Sequence, residues 1–291
     1  MTRQSLRLAL IEAEKTLAAA GVPSPRVDAE LLAEHVVGVP RGRLVTVPLV
    51  EPSVVDRYRR LVERRATREP LQHVLGTAVL GPATVAVGPG VFTPRPETEL
   101  LLRWGLDAIA DVASPLVVDL CTGSGALALA VATARPDATV HAVEADHGAL
   151  AWARRNVAAH VAAGGTPVRL HAVDVRRPDL LAELESRVHL VLCNPPYVPD
   201  GTPVAPEVAG WDPPDALFAG PEGLDIIRAV VSLSAALLRY GGWLAIEHDD
   251  TQGESVPALL ERRRVLTDVQ EHRDLAGRPR FATARRTAPA A

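Results

Sequence analysis

Residues 194–197 read Asn194-Pro195-Pro196-Tyr197 and close an apolar run, Val188 to Cys193. Two consecutive prolines carry no backbone N–H, so they suit the end of a strand and not its middle. Each proline also holds the residue before it extended. Asn194 and Pro195 are therefore stiff, with Pro196 completing the rigid segment. They can aim two oxygens at one point: the Asn194 side-chain carbonyl and the Pro195 main-chain carbonyl. Two fixed acceptors match a planar NH2 group, which has two hydrogens to donate. Tyr197 offers a flat face for a planar group to stack on. The chemistry this spacing serves is attack by, or on, an amide or amino nitrogen held still.

A second motif lies upstream. Val117 to Leu120 is an apolar strand that runs into Cys121-Thr122-Gly123-Ser124-Gly125 and then an alanine- and leucine-rich helix. Glycines at a helix N-terminus let the backbone approach a ligand closely. The next strand, Thr139 to Val143, ends in Glu144, and an acid at that place commonly holds a ribose diol. Asp146 is the neighbouring competitor, but Glu144 follows the apolar strand directly. Asp174 stands after a third strand, Val168 to Val173. Glycine turn plus acid means a nucleoside cofactor, and so far it fits a nicotinamide dinucleotide as well as S-adenosylmethionine. Cys121 stands where the first glycine of G-x-G-x-x-G would be, which counts against the dinucleotide.

The elements that must position these residues follow from the pattern. From Thr93 onward β and α segments alternate, with strands near 116–120, 139–143, 168–172, 188–193 and 242–247. Helices, including 148–160 and 224–239, lie between them. Alternation of this kind predicts an α/β fold with a parallel sheet covered by helices on both faces. Ligands of such sheets bind beyond the strands' carboxyl ends. Gly125, Glu144, Asp174 and Asn194 all fall there. Strand-like segments near 266–270 and 281–285 are expected to close the sheet as an antiparallel pair, and 286–291 to be disordered.

The first 75 residues read as a separate helical domain. Leu6, Leu10, Ala13 and Leu17 share one helical face. Ser24 and Pro25 are the expected N-cap and first residue of a second helix that stops at Gly38. A third begins near Pro52, with Val54, Tyr58, Leu61 and Val62 as its inner stripe. Arg57, Arg59, Arg60, Arg64, Arg65 and Arg68 form either a solvated face or a dock for an acidic or RNA-bearing partner. Residues 76–92 read as a β-hairpin linker and 93–287 as the catalytic domain. Residues 198–222 hold six prolines with little periodicity; a long unpatterned loop of this kind is expected to wall or cover the substrate.

With 291 residues, 47% hydrophobic and 23% charged, the composition is that of a soluble globular protein. A net charge of −4 gives no global nucleic-acid footprint, and no direct nucleic-acid binding is expected. No signal peptide leads the chain and no apolar stretch is long enough for a membrane span, so a cytoplasmic protein, monomeric and free of membranes, is expected. Cys121 and Cys193 have no metal-type spacing and read as reduced thiols near each other; no metal site is expected.

Taken together, the motifs resemble the peptide chain release factor N5-glutamine methyltransferase family. The resemblance is carried by Thr93-Pro94-Arg95-Pro96-Glu97-Thr98-Glu99-Leu100, by Asp119 to Gly125 and by Asn194 to Tyr197. Asp215 to Gly220 with Gly223-Leu224, Ala245-Ile246-Glu247-His248 with Gln252-Gly253, and Ser24 to Leu32 add to it. The tetrapeptide alone is shared with DNA adenine methyltransferases; together with the Pro94–Glu99 segment it is specific.

The resemblance implies a class I S-adenosylmethionine methyltransferase, a Rossmann-like, mostly parallel seven-stranded sheet with a small N-terminal helical domain. It implies S-adenosyl-L-methionine as cofactor, bound by Cys121, Thr122, Gly123, Ser124, Gly125, Glu144, Asp174, Val175 and Asn194, with Asp174 and the Val175 backbone facing the adenine. Asn194, Pro195 and Tyr197 would be catalytic, and with Pro196 would hold the substrate. That substrate would be the glutamine of the Gly-Gly-Gln loop in bacterial class I release factors. Phe92 would pack on the methyl-donor pocket or in the core, and Arg95 and Glu97 would pin the linker to the sheet. His248 is a tempting general base. The rivals are an adenine methyltransferase for DNA or RNA, a ribosomal-protein glutamine methyltransferase, a dinucleotide-dependent oxidoreductase and a non-catalytic release-factor binder.

Overall fold

The computed structural model describes residues 3–288. By internal packing the chain divides into two units, one running to Thr77 together with Val204–Trp211, the other comprising the rest.

The helical unit contains α1 (Leu6–Ala19), α2 (Pro25–Val37), α3 (Pro52–Ala66) and α4 (Leu71–Leu75), with a small antiparallel pair, β1 (Gln4–Ser5) and β2 (Leu49–Val50). Leu10, Leu17, Leu32 and Tyr58 fill its core, and the Tyr58 hydroxyl donates to Ala29 O at 2.9 Å. Gly38 ends α2 in the left-handed conformation, φ 73°. Ser24 and Pro25 stand at the N-cap and first position of α2 as expected, though Ser24 makes no side-chain capping bond. Two expectations need correction. On α3 the buried positions are Val55, Tyr58, Val62 and Arg65, while Val54 and Leu61 are only partly covered. Arg57, Arg59, Arg60 and Arg64 are exposed as a solvated face would be, but Arg65 and Arg68 are not. Arg65, 5% exposed, pairs with Asp28 at 2.8 Å and with Glu207 at 3.0 Å. Arg68 joins Glu207 at 2.5 Å. Glu207 sits on the short helix Pro206–Ala209. The proline-rich loop thus returns to this unit, so the expected catalytic span of 93–287 is interrupted.

The second unit holds the antiparallel hairpin β3 (Thr77–Leu80) and β4 (Ala83–Ala86), and a seven-stranded sheet. The sheet strands are β5 (Leu116–Leu120), β6 (Thr139–Glu144), β7 (Val168–Ala172), β8 (Val188–Cys193), β9 (Leu238–Glu247), β10 (Leu266–Arg273) and β11 (Pro279–Arg286). Their order is β10-β11-β9-β8-β5-β6-β7, parallel except where β11 runs against β9 and β10. Each expected strand is present within a few residues. Arg286 ends β11, and the expectation of disorder for 286–291 falls, from 289 on, outside the described residues.

The hairpin expected as a linker belongs to the core. Ala78, Leu80, Ala83 and Val85 are buried with α5 (Thr98–Ala108) and α6 (Ala126–Ala134) on one face of the sheet. The helices Asp225–Leu237 and Ser255–Glu261 cover the other face. From β5 the chain builds β6 and β7 to one side, then crosses to β8 on the other. Beyond the carboxyl ends of β5 and β8 lies the crevice that such a reversal opens.

Candidate active site

Beyond β5 the backbone leaves the extended region three times within five residues, at Cys121 (φ 59°), Gly123 (φ 57°) and Gly125 (φ 82°). A left-handed cysteine is strained by roughly 1–2 kcal/mol, and surrounding bonds hold it. Thr122 N donates to Val143 O at 2.9 Å, and Gly125 N to Thr122 O at 2.9 Å. Asp119 lies buried beneath, accepting from Thr122 Oγ1 at 2.5 Å and from Ala128 N at 3.1 Å. Burial nevertheless pushes its carboxyl up to about 7. Ser124 is buried, and its carbonyl accepts from Asn156 Nδ2 at 2.9 Å. Asn156, on α7 (His147–Ala162), also bonds both backbone groups of Ala86, which ties the hairpin to the turn.

Glu144 reaches back to this turn. Its Oε2 accepts from Gly123 N at 2.8 Å and its Oε1 from Asp146 N at 2.9 Å. Burial raises its carboxyl above the ordinary value against those bonds. A carboxylate has about four acceptor directions, so capacity remains for two hydroxyls. The space where Gly123 would carry a Cβ is open, with nothing within 4 Å. A carboxylate beside a backbone turn with open space at Gly123 fits a nucleoside. Asp146 is the N-cap of α7 instead, accepting from Ala149 N at 2.7 Å. Asp174 lies past the end of β7, where it accepts from Arg176 N at 2.8 Å and pairs with its guanidinium. That pairing holds Asp174 below the usual carboxylate range. The Val175 side chain is buried in the same apolar cluster as Val143 and Leu180.

The nitrogen cradle lies at the end of β8. Asn194 Nδ2 donates to Thr98 Oγ1 at 3.1 Å, and Thr98 Oγ1 donates to Glu247 Oε2 at 2.8 Å. Glu247 ends β9 fully buried, and its Oε1 accepts from the Tyr197 hydroxyl at 3.3 Å. With one amide hydrogen given to Thr98, the Asn194 Oδ1 is the group left to act as acceptor. Pro195 is buried, while Pro196 and Tyr197 are half-buried.

The loop after the cradle is pinned as well. Val198 N bonds Leu217 O at 2.8 Å and Ala219 N bonds Val198 O at 3.0 Å. Gln252 Nε2 donates to Tyr197 O at 3.0 Å and to Glu222 O at 3.1 Å. Gly223 passes so close that a Cβ there would stand 2.1 Å from Tyr197 O. Residues 212–223 are therefore a fixed wall beside the cradle.

Arg95 lies over the Phe92 ring, 4.9 Å from its centre, and pairs with Asp212 at 2.5 Å. Glu97 faces Arg278 at 4.0 Å. His248 is buried, with Nε2 2.8 Å from Glu271 Oε2 and Nδ1 2.8 Å from Asp249 O. Both ring nitrogens are engaged by oxygens, which removes it as a base. Cys121 and Cys193 are free thiols in contact, and burial with that contact pushes the Cys193 thiol well up. Among the described residues no cluster of three His, Cys, Asp or Glu side chains is arranged to hold a metal. A cavity of about 510 Å³ opens elsewhere, at the amino ends of the strands, lined by His141, Arg169, Arg187 and His189. It shares no residue with these motifs.

Two family models match the chain: the PrmC N-terminal domain over residues 9–76 and the methyltransferase small domain over residues 84–208. The release factor glutamine methyltransferase of Mycolicibacterium smegmatis is 52% identical over 288 residues, covering 99% of each chain. That of Streptomyces coelicolor is 47% identical over 285 residues, covering 96% of this chain and 97% of its own. The chain belongs to the release factor glutamine methyltransferase family. Among solved structures, the T. thermophilus 16S rRNA N2 G1207 methyltransferase aligns with TM-score 0.53 at 24% identity, over 72% of this chain and 49% of its own. The hMettl16 catalytic domain aligns with TM-score 0.54 at 16% identity, over 78% of this chain and 82% of its own. Both share the fold and no more.

Thr98, Glu247, Gln252 and Asp119 stood in sequence motifs without a task. Thr98 bonds Asn194, Glu247 and Gln252 bond Tyr197, and Asp119 bonds Thr122 and Ala128. One signal was available for Glu247: like Glu144, it is an acid directly after an apolar strand.

Proposed function

We propose that the chain transfers a methyl group from S-adenosylmethionine to the side-chain amide nitrogen, N5, of the glutamine in the Gly-Gly-Gln motif of bacterial class I release factors. The observation that carries this reading is the Asn194 amide, whose nitrogen is engaged by Thr98 so that its oxygen is left to accept. The methyl donor is S-adenosylmethionine, which when bound supplies an electrophilic methyl on a sulfonium. Gly123, Gly125 and their neighbours Cys121, Thr122 and Ser124 would present the backbone turn to it, and Glu144 would hold its ribose. Asp174 would face the adenine, with its pairing to Arg176 leaving it fewer free acceptor directions.

A glutamine amide nitrogen is a weak nucleophile because its lone pair is delocalised into the carbonyl. Asn194 Oδ1 and the Pro195 carbonyl accept its two hydrogens and turn its lone pair toward the methyl. As the nitrogen–carbon bond forms, positive charge grows on the nitrogen, and the two oriented oxygen dipoles stabilise it. The pair of the broken carbon–sulfur bond stays on sulfur. The proton leaves the nitrogen afterwards, so no side chain need act as a strong base. Tyr197 and Pro196 flank the amide plane.

The helical unit would grip the release factor away from its Gly-Gly-Gln loop. No described helix is long and apolar enough to cross a membrane; a cytoplasmic location is proposed separately, from the release-factor substrate. The test is mass spectrometry of a purified class I release factor after incubation with isotopically labelled S-adenosylmethionine. One labelled methyl is expected on the glutamine of the loop and none on a Gln→Ala control. Equal labelling of the control would overturn the assignment.

A further inference from the structure

We infer that Thr98 and Glu247 form a hydrogen-bond relay that sets which end of the Asn194 amide faces the substrate, making both of them positioning residues for methyl transfer. The inference rests on the functional reading above and adds what orients its central residue.

The argument counts hydrogens. Thr98 is 3% exposed and its hydroxyl carries one hydrogen. An ionised Glu247 can only accept, so that hydrogen goes to its Oε2, 2.8 Å away. The Thr98 oxygen is then an acceptor toward Asn194 and takes an N–H, at 3.1 Å. Only one polarity satisfies all three groups, and it turns Asn194 Oδ1 outward. A proton on Glu247 Oε2 reverses the chain. The carboxylic acid then donates to Thr98, Thr98 donates to Asn194, and the amide must turn over to accept. Its NH2 would face the NH2 of the substrate glutamine, donor against donor.

The surroundings place this switch in an accessible range. Burial pushes the Glu247 carboxyl up to about 7, with Glu97 adding to the rise. Thr98, Arg280 on β11 and Tyr197 pull it back down, while Asp249 is a further negative group facing Tyr197. The Tyr197 hydroxyl on Oε1 offers the proton a second home that leaves the Thr98 branch intact. Tyr197→Phe is therefore expected to steepen the acid limb.

The experiment is single-turnover methyl transfer to a release factor across pH 5.5–8.5, with cofactor affinity measured by calorimetry for each variant. In the native enzyme the rate should fall on the acid side with a midpoint near 7. Thr98→Val should lower the rate by roughly tenfold to hundredfold and abolish the acid limb, since losing one aimed group has effects of about that order or more. Thr98→Ser should restore both rate and limb, and Glu247→Gln should lose the limb. Cofactor affinity should change little throughout. A readout independent of turnover is the side-chain amide resonance pair of Asn194 in 15N-asparagine-labelled protein. It should titrate with the same midpoint in the native chain and not in Thr98→Val.

A Thr98→Val enzyme that binds cofactor and keeps the native rate and pH profile would overturn the relay. Should Thr98→Val fail to fold, Glu247→Gln with an unchanged acid limb would overturn it equally. A native enzyme that leaves the glutamine unmethylated would sink the functional reading instead, and the Asn194 resonances would still decide the relay.

Discussion

Glu144→Ala separates what the carboxylate does for the turn from what it does for the cofactor. Each carboxylate oxygen already accepts one backbone hydrogen, from Gly123 at 2.8 Å and Asp146 at 2.9 Å. Removing the side chain leaves two N–H groups to find water, a cost of about 1–3 kcal/mol for each that stays buried. It also removes the acceptors for two ribose hydroxyls. Bonds to a charged group contribute about 1.5–3 kcal/mol each. A net loss of even one such bond is about tenfold in affinity, and two would exceed a hundredfold. Against this, the carboxylate is buried and its pKa raised by desolvation, so its removal relieves a penalty in the empty protein. The expected outcome is a tenfold to hundredfold weaker S-adenosylmethionine affinity, read by calorimetry, with the denaturation midpoint recorded to show that the variant is folded. Glu144→Gln is expected to fall between, because its NH2 would confront one of the two backbone donors. A folded Glu144→Ala protein with native affinity would remove Glu144 from the cofactor site.

Asn194→Ala should slow methyl transfer by about 10²–10³ while changing cofactor affinity much less; Asn194→Asp should stay above Ala and below native, since it restores an acceptor but sets a second carboxylate against the one hydrogen of Thr98. A chain beginning at Ala78 should keep cofactor affinity and lose most activity on intact release factor; undiminished activity would show that the helical unit does not recognise the substrate. Asp119 is held at about 7 against an ordinary 3.8, so the folded protein keeps a proton that the unfolded chain gives up. Its contribution to stability therefore falls as pH rises from about 4 to about 7, and Asp119→Asn should reduce that slope in urea midpoints measured across the window.

The strands and the site's two main motifs were legible because they are local. Val117 to Leu120 and Val188 to Cys193 are apolar runs ended by glycine or proline, and local patterns of that kind survive any tertiary context. The excursion of 204–211 was not legible. Glu207 pairs with Arg65 and Arg68 across 142 and 139 residues of chain, and a lone acid among prolines carries no sign of its partner. Arg65 looked like part of a solvated face for the same reason: periodicity reports apolar positions and is blind to a buried ion pair. Ser24 shows the limit of a local signal: residue type placed it at the N-cap of α2, but its side chain makes no capping bond. The hairpin was visible, but its burial was not, because four-residue strands of alternating pattern do not say which core they face.

Three carboxylates at strand ends do one physical job here. Asp119 at the end of β5 holds Thr122 and Ala128, Glu144 at the end of β6 holds Gly123 and Asp146, and Glu247 at the end of β9 holds Thr98 and Tyr197. Burial raises the pKa of all three. Each therefore costs stability, which a sequence optimised for folding alone would avoid by placing apolar residues there. What they supply is direction. A carboxylate fixes the hydrogens of its neighbours toward itself, and so leaves lone pairs of those neighbours facing elsewhere. At Asp119 and Glu144 the result is a turn held in left-handed backbone. At Glu247 it is a Thr98 hydroxyl oxygen left to accept from the Asn194 amide, the arrangement on which the proposed relay rests. Positioning of this kind needs fixed dipoles more than reactive groups, which is why the centre of this site is an asparagine and two prolines.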